Sequence, residues 1–160
     1  MKIQISVARQ LLTLFDDAGR VLREYCVSTG KAGVGEVFGS FQTPRGRHLI
    51  RATIGAGAAE NTIFVRRRPS GEAWSAAFER EHPGRDWILT RILWLSGCEP
   101  GRNRLGRVDT MRRYIYIHGA PEHVEMGTPG SHGCIRMRNE DIIELFDLVP
   151  AYTPVEISED

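Results

Sequence analysis

The chain has 160 residues, the size of one domain, and can bury a hydrophobic core without disulfides or a structural metal. Its 21 Lys and Arg residues against 20 Asp and Glu leave a formal net charge of +1, so the charge predicts no nucleic-acid or membrane-surface partner. No apolar run reaches the length that a transmembrane helix needs, so we expect no transmembrane segment.

The amino-terminal region is predicted to form three strands. Apolar residues alternate with polar ones from Ile3 to Val7, which indicates a half-buried strand. Residues 10–15 and 21–28 are rich in large apolar side chains, and Asp16-Asp17-Ala18-Gly19 between them has the composition of a hairpin turn. No basic and apolar leader follows Met1, so we expect a cytoplasmic location for the chain as it stands, and a periplasmic one if a leader was removed.

The next region alternates between loops and short strands. Residues 30–46 are rich in glycine and predict an irregular loop with some strand at 38–41, and residues 48–54 and 63–67 are predicted strands. The run Arg66-Arg67-Arg68 favours a solvated face over a phosphate site.

Residues 68–86 are the longest ambiguous stretch. Glu72–Arg80 could form about two helical turns, with Trp74 and Phe78 on one face. We expect these aromatic side chains to cover the sheet. The alternative is a lid over a substrate.

The carboxyl-terminal half combines central strands with one helix. Residues 87–95 and 114–117 predict central strands, separated by a long charged loop over 99–109. Apolar residues at helical spacing predict a helix over 140–149 with Asn139 as its N-cap, and 154–157 predicts a closing strand. The expected fold is one mainly β domain over residues 1–160, a sandwich or a closed curled sheet with one helix near its carboxyl end.

The stretch Gly130-Ser131-His132-Gly133-Cys134-Ile135-Arg136-Met137 carries the densest chemistry in the sequence. A thiol between histidine and arginine can be held as the thiolate at neutral pH, and the thiolate is the nucleophilic form. Cys134 is therefore the candidate nucleophile of an acyl-transfer enzyme. Cys26 lies in a strand pattern without a histidine nearby, and Cys98 lies in a loop; both are expected to be structural.

Two histidines are candidates for the base that accepts the thiol proton. His118 follows a predicted strand and could face Cys134 from a separate rigid element, so it is preferred. His132 is two residues from Cys134, and in an extended stretch the two side chains would share one side, so His132 could be a second polar partner. The backbone N–H groups of Gly133 and Cys134 could bind a developing oxyanion.

Two further side chains complete the predicted site. Arg136 could hold a substrate carboxylate or bond to local carbonyls, and Ser131 could serve the loop backbone. A metal site built from His118, His132, Cys134 and His123 is the weaker alternative, because a His-Gly-Cys spacing is unlike that of zinc ligands.

The motif Ser131-His132-Gly133-Cys134-Ile135-Arg136, preceded by a strand ending in His118-Gly119, resembles the signature of the L,D-transpeptidase catalytic domain, or YkuD domain. The resemblance extends to Val27–Lys31, Thr43–Gly46 and Thr153–Ile157, and it is nearest to a short proteobacterial branch. It implies a mixed β-sandwich, Cys134 as nucleophile and His118 as proton acceptor. It also implies backbone donors at Gly133 and Cys134, with Arg136, Ser131 and Gly119 on the substrate side.

The resemblance also implies a reaction. Such domains cut peptidoglycan stem peptides between the third residue and D-alanine at position four, through a cysteine thioester, without metal or cofactor. Transfer to an amine gives a cross-link between third-position residues, and transfer to water gives an L,D-carboxypeptidase acting on muropeptides. A non-catalytic stem-peptide-binding domain is a further alternative. Ala120 stands where the family often has a hydroxyl residue, which predicts the loss of one hydrogen bond near the base.

Overall fold

A computed structural model describes residues 1–160 as one curled ten-stranded sheet with two α-helices. The strands are β1 (Lys2–Ser6), β2 (Leu11–Phe15), β3 (Val21–Cys26), β4 (Gly46–Ile54), β5 (Thr62–Val65), β6 (Arg68–Ala73), β7 (Leu89–Gly97), β8 (Tyr116–Gly119), β9 (Ile135–Met137) and β10 (Pro154–Ser158). The helices are α1 (Ala76–Glu81) and α2 (Asn139–Leu148), and a 3₁₀ turn spans Gly106–Val108. The predicted mainly β fold with a carboxyl-proximal helix is confirmed.

The sheet is mixed, and its strand order is β3-β2-β1-β10-β4-β7-β5-β6, with β8 beside β7 and β9 beside β8. Two pairings are parallel, β1 with β10 and β8 with β9, and the others are antiparallel. Irregular register in β4 against β7, and in β7 against β8, bends the sheet, because an extra residue on one strand increases its local twist.

The main core lies on the face of the sheet that α2 covers. Ile142 and Leu145 of the helix are fully buried there, together with apolar residues of β1, β2, β7 and β10. Ile117 of β8 and Ile135 of β9 belong to this core as well. Since successive side chains of a strand point to opposite faces, the residues that alternate with them face away from α2.

Several predicted elements differ in position from the observed ones. Residues 38–41 form turns and no strand, because their glycine-rich loop runs over the surface. The predicted strand at 114–117 lies two residues later, since Tyr114 has a positive φ of 57° that ends any extended run. Asn139 begins α2 without capping it; its side chain accepts a hydrogen bond from Thr90 and donates one to Asn61.

The segment 68–86 contains a strand as well as a helix. Arg68–Ala73 pairs with β5 as β6, so the helix begins only at Ala76, where the Ser75 side chain caps it. Trp74 precedes the helix and packs in a small cluster with Ile63, Trp87 and Leu89, and Phe78 lies against that cluster. The aromatic side chains therefore cover the sheet, as expected. Neither α-helix is long and apolar enough to cross a membrane.

Candidate active site

The parallel pairing of β8 and β9 brings the two main candidates to one place. The register sets Ile117 opposite Ile135 and His118 opposite Arg136, so Cys134 lies beside Tyr116 at the start of β9. Because Ile117 and Ile135 point into the main core, Tyr116, His118, Cys134 and Arg136 share the other face of the sheet. The candidate base on β8 and the candidate nucleophile just before β9 thus lie close together on the same face of the sheet.

The turn before Cys134 depends on a glycine at position 133. Gly133 has φ of 120°, and a Cβ there would stand 3.0 Å from the Gln42 carbonyl oxygen and 3.2 Å from the Ile115 side chain. Its carbonyl accepts a hydrogen bond of 2.9 Å from the buried Thr43 hydroxyl. Only glycine fits this backbone and this space, so Gly133 fixes the path by which the chain reaches Cys134.

Cys134 is 9 % exposed and packs with Phe64, Ile92 and Tyr116. Its sulfur accepts a hydrogen bond from the Tyr116 amide at 3.3 Å and lies 3.4 Å from the Tyr114 carbonyl oxygen. Burial raises the pKa of Cys134 to about 12, although that amide and two nearby arginines favour the thiolate. The expectation of a thiolate at neutral pH left out burial, which disfavours the thiolate more strongly than the positive charges favour it.

His118 is fully buried, and its two ring nitrogens have different surroundings. Nδ1 lies 2.6 Å from the carbonyl oxygen of Gly119, which makes Nδ1 the protonated nitrogen and leaves Nε2 as an acceptor. Nε2 is buried with no hydrogen-bond partner. Burial lowers the pKa of His118, so the ring is neutral at pH 7 with a free basic nitrogen. The carbonyl of Gly119 orients the ring, which does not need a hydroxyl at Ala120.

His132 lies at the surface beside the same site. Its side chain is 66 % exposed, its Nδ1 is 3.6 Å from a carboxylate oxygen of Asp86, and its ring meets Phe41 edge-on at 5.7 Å between centroids. His132 and Cys134 line the same groove, although the positive φ of Gly133 interrupts the extended backbone between them. No hydrogen bond joins His132 to the Cys134 sulfur, which instead accepts one from the Tyr116 amide.

One of the two predicted oxyanion donors is already engaged. The amide of Gly133 donates to the hydroxyl of Ser131 at 3.1 Å, and that hydroxyl donates in turn to the carbonyl of Cys134 at 2.5 Å. The amide of Cys134 has no acceptor within the protein. The Cys134 amide is therefore the one of the two donors that is free in this structure, and a role for the Gly133 amide stays a prediction.

The three residues expected on the substrate side all have partners inside the protein. One terminal nitrogen of Arg136 donates to the Ser28 hydroxyl at 3.1 Å, while its buried Nε has no hydrogen-bond partner. The Ser131 hydroxyl donates to the Cys134 carbonyl within its own turn. Gly119 is packed so closely that a Cβ would stand 2.3 Å from the Asn139 side-chain oxygen. None of the three lines the groove at Cys134, because each joins neighbouring segments of the fold.

The groove in front of Cys134 has a volume of about 520 Å³. It is lined by Phe38, Gly39, Phe41, Arg66, Arg67, Asp86, Ile88, Arg112, Arg113, Tyr114, Ile115, Tyr116, His132 and Cys134. Sequence reasoning did not place Asp86 or the four arginines here. The run Arg66-Arg67-Arg68 was the one sequence feature that could have indicated a cationic site. Arg66 and Arg67 form the turn between β5 and β6 and line the groove, so they are not simply a solvated face.

The remaining candidates lie apart from Cys134. His123 pairs with Glu79 of α1, with its Nε2 2.8 Å from a carboxylate oxygen. Cys26 is exposed at the end of β3, and Cys98 is partly buried after β7, both as free thiols. No three His, Cys, Asp or Glu side chains come together as a potential metal site.

Residues 1–157 match the family of the L,D-transpeptidase catalytic domain, YkuD, and the chain belongs to that family. It is 31 % identical over 119 residues to the probable L,D-transpeptidase ErfK/SrfK of Salmonella typhimurium strain LT2, covering 62 % of this chain and 38 % of that protein. It is 44 % identical over 95 residues to the probable L,D-transpeptidase YbiS of Escherichia coli K12, covering 52 % of this chain and 31 % of that protein. The chain thus spans about a third of the length of these curated relatives.

Solved structures share the fold. L,D-transpeptidase 3 from Mycobacterium tuberculosis, in complex with a faropenem-derived adduct, superimposes with a TM-score of 0.59 at 17 % identity, covering 98 % of this chain and 59 % of that one. The L,D-transpeptidase from Mycobacterium smegmatis gives a TM-score of 0.55 at 20 % identity, covering 98 % of this chain and 57 % of that one. Such low identities establish a common architecture and no more than that.

Proposed function

We propose that residues 1–160 form one L,D-transpeptidase catalytic domain that transfers the acyl group of a peptidoglycan stem peptide through a thioester on Cys134. The domain cleaves the bond between the third residue and D-alanine at position four, and passes the acyl group to an amine. The supporting observation is the pairing of β8 with β9: Cys134 lines the groove, and His118, with a free Nε2, lies opposite Arg136, two residues after Cys134.

In the acylation step the proton moves as the new bond forms. The sulfur of Cys134 attacks the carbonyl carbon of the third residue while Nε2 of His118 accepts the thiol proton. Such a concerted transfer suits a thiol whose pKa is raised to about 12 and an imidazole whose pKa is lowered, since neither charged form is populated at rest. The free amide of Cys134 donates to the oxyanion of the tetrahedral intermediate. Collapse breaks the peptide C–N bond, and His118 returns the proton to the departing amine of D-alanine.

In the second step an acceptor attacks the thioester carbonyl. An amine of a neighbouring stem gives a cross-link between two third-position residues, and the thiol regains its proton as the C–S bond breaks. Water in the same position gives the tripeptide, and the domain then acts as an L,D-carboxypeptidase. The exposed side chain of His132 at the groove supports the hydrolytic alternative, because solvent reaches this side of the site.

Mass spectrometry of the products tests the proposal. The protein is incubated with purified disaccharide-tetrapeptides, and we expect release of D-alanine with formation of cross-linked dimers. Tripeptide without dimers would identify the carboxypeptidase. A Cys134→Ala variant should lose all turnover, whereas Cys98→Ala, which removes a thiol outside the groove, should keep it.

A carbapenem gives a second, independent readout. The drug should leave a covalent adduct on the peptide that contains Cys134 and on neither of the other cysteine peptides. Persistent release of D-alanine by Cys134→Ala would overturn the assignment of the nucleophile. If the wild type bound the tetrapeptide without any turnover, the result would identify a non-catalytic stem-peptide-binding domain instead.

A further inference from the structure

The groove at Cys134 is strongly cationic. Four guanidinium groups line it, from Arg66, Arg67, Arg112 and Arg113, against a single carboxylate, that of Asp86. None of the four forms a salt bridge, and the Asp86 carboxylate lies beside His132. Elsewhere in the chain arginines do find carboxylates, as Arg45 does with Glu36 at 3.0 Å. The groove therefore concentrates unpaired positive charge beside the thiol.

Arg113 is the most firmly held of these groups. It is partly buried, and it donates only to neutral acceptors: the Gly35 carbonyl at 3.2 Å, the Ser40 hydroxyl at 3.3 Å and the Gln42 carbonyl at 2.6 Å. Burial lowers the pKa of Arg113, and the charges of the Glu36 carboxylate and of a Cys134 thiolate act against that shift. Glu36 forms its salt bridge with Arg45, so Arg113 has no ion-pair partner of its own, and an anion that enters the groove gains from pairing with this partly desolvated guanidinium.

Arg113 is also close to the reacting sulfur through the backbone. The Gln42 carbonyl that accepts its hydrogen bond lies 3.0 Å from where a Cβ of Gly133 would stand, and Gly133 directly precedes Cys134. The anion held by Arg113 is accordingly near the bond that Cys134 attacks.

Arg67 presents a second preorganised guanidinium. It lies 4.7 Å from the ring centre of Trp94 and 4.6 Å from that of Tyr114, and it donates to the Tyr116 hydroxyl at 3.0 Å. Tyr116 itself packs against Cys134. Stacking and a hydrogen bond hold the guanidinium without neutralising its charge, so it remains attractive to an anion.

We infer that Arg113, assisted by Arg67, binds the free α-carboxylate of the residue that leaves, the fourth residue of the stem peptide. This carboxylate is separated from the scissile carbonyl carbon only by the peptide nitrogen and one Cα, so it must lie close to Cys134 during attack. The carboxylate-binding role that the motif predicted for Arg136 thus passes to these residues, since Arg136 is bonded to Ser28 and does not line the groove. The inference rests on the proposed function and assigns the recognition of the terminal carboxylate of the donor stem to these two side chains.

A matched pair of substrates tests the assignment. The tetrapeptide muropeptide with a free terminal carboxylate is compared with the same molecule carrying a terminal carboxamide, and kcat/KM is measured from release of D-alanine or D-alaninamide. We expect the wild type to prefer the free acid by about 10- to 100-fold, the range for a hydrogen bond to a charged group. Arg113→Gln should lose most of that preference by lowering kcat/KM for the acid alone, and Arg113→Lys should restore part of it.

Controls separate charge recognition from loss of structure. Arg51→Gln removes an exposed guanidinium of β4 and should leave the preference unchanged. A variant at Arg113 that merely disorders the 35–42 loop would lower kcat/KM equally for acid and amide, which would overturn the inference. Equal kcat/KM values of the wild type for the two substrates would also overturn it.

Binding to a protein that cannot turn over keeps the two proposals distinct. Calorimetry with Cys134→Ala should show tighter binding of the acid than of the amide, and Cys134→Ala combined with Arg113→Gln should show equal binding. If the wild type released no D-alanine but this binding preference held, the proposed reaction would fail while the carboxylate site stood. If it released D-alanine without any such preference, the reaction would stand and the carboxylate site would fail.

Discussion

The amide of Tyr116 donates a hydrogen bond of 3.3 Å to the sulfur of Cys134. A donor aimed at sulfur favours the thiolate, yet burial is the larger effect and raises the pKa of the thiol to about 12. The hydrogen bond therefore orients the thiol and lowers the cost of forming a thiolate during attack, without producing one in the free protein. In the proposed mechanism, activation of the thiol is coupled to the arrival of a substrate and to proton transfer toward His118.

The first prediction concerns thiol reactivity in the resting protein. At pH 7 iodoacetamide should modify the exposed Cys26 well before the buried Cys134, because the thiolate is the reactive form and burial suppresses it at Cys134. Peptide mass spectrometry over a time course gives both rates. Faster alkylation of Cys134 than of Cys26 in the folded protein would show that the resting site holds a thiolate.

The second prediction concerns the pH dependence of acylation. His118 must be neutral to accept a proton, and burial lowers its pKa below the usual 6.5. As pH falls, kcat/KM should stay level through 6.5 and decline only below it. His118→Gln should reduce kcat by about 10²- to 10⁴-fold. An acidic limb above pH 6.5, or unaltered turnover in the glutamine variant, would contradict the assignment of the base.

A third prediction concerns Asp86, whose negative charge raises the pKa of both His118 and Cys134. For His118 the carboxylate opposes burial, and for Cys134 it adds to burial. Asp86→Asn should therefore move the acidic limb of kcat/KM to still lower pH and accelerate alkylation of Cys134. A limb that moves toward higher pH would show that Asp86 does not act through its charge. Glu60→Gln, which alters an exposed carboxylate outside the groove, serves as the control.

A fourth prediction concerns the close approach of α2 to the strand that carries His118. A Cβ at Gly119 would stand 2.3 Å from the Asn139 oxygen and 2.7 Å from the Leu89 carbonyl oxygen. Gly119→Ala should lower the free energy of unfolding by about 3 kcal/mol, because a backbone carbonyl cannot yield as a flexible side chain can. Urea denaturation measures the change.

The matched control is Gly57→Ala. A Cβ at Gly57 meets nothing within 4 Å, and the positive φ of 74° should alone cost about 1 kcal/mol. Equal losses in the two variants would mean that the contact with Asn139 and Leu89 has no energetic weight.

The fifth prediction concerns His48, a buried neutral histidine far in sequence from the motif. Its Nδ1 lies 3.0 Å from the Gly46 carbonyl oxygen and its Nε2 3.0 Å from the Thr110 hydroxyl, and burial lowers its pKa to about 4. Between pH 6.5 and 4 the unfolded chain binds a proton that the folded chain does not. Stability is therefore full above pH 6.5, and about 3 kcal/mol of it is lost as pH falls to 4.

Urea denaturation at pH 7 and at pH 4.5 checks this expectation. His48→Gln cannot titrate, so the difference in unfolding free energy between the two pH values should shrink relative to the wild type. The buried His118 contributes in the same direction, so the difference should shrink without vanishing. An unchanged difference would mean that folding does not shift the pKa of His48.

Local patterns were sufficient for most of the strands and for α2. Alternation from Ile3 to Val7 and apolar spacing over 140–149 reflect burial of one face, which is a property of a few neighbouring residues. The missed element β6 has no such pattern: all residues of Arg68–Ala73 are exposed, and the strand exists because β5 pairs with it. Pairing between strands is a tertiary event that a period in the sequence does not encode.

The candidate site shows the same contrast between local sequence patterns and tertiary structure. The reactive residue types stand together in Ser131–Arg136, and this local signal was enough to single out Cys134 and to recognise the family. Proximity in the chain did not decide which groups face the thiol. The parallel pairing of β8 and β9 places His118 on the same face of the sheet as Cys134. The Gly133 amide donates a hydrogen bond to Ser131 within one turn, and Arg136 donates one to Ser28.

The protonation state and the charge of the groove also depend on the folded structure. Desolvation reverses the effect of neighbouring arginines on Cys134, and burial is a property of the packed molecule rather than of the motif. Arg67 and Arg113 are distant from Cys134 along the chain. They line the same groove as Cys134 because the folded structure places the β5–β6 turn and the loop before β8 beside it. The sequence thus determined the family and the choice of Cys134 as the candidate nucleophile. Tertiary packing decided the ionisation of Cys134 and the residues that surround it.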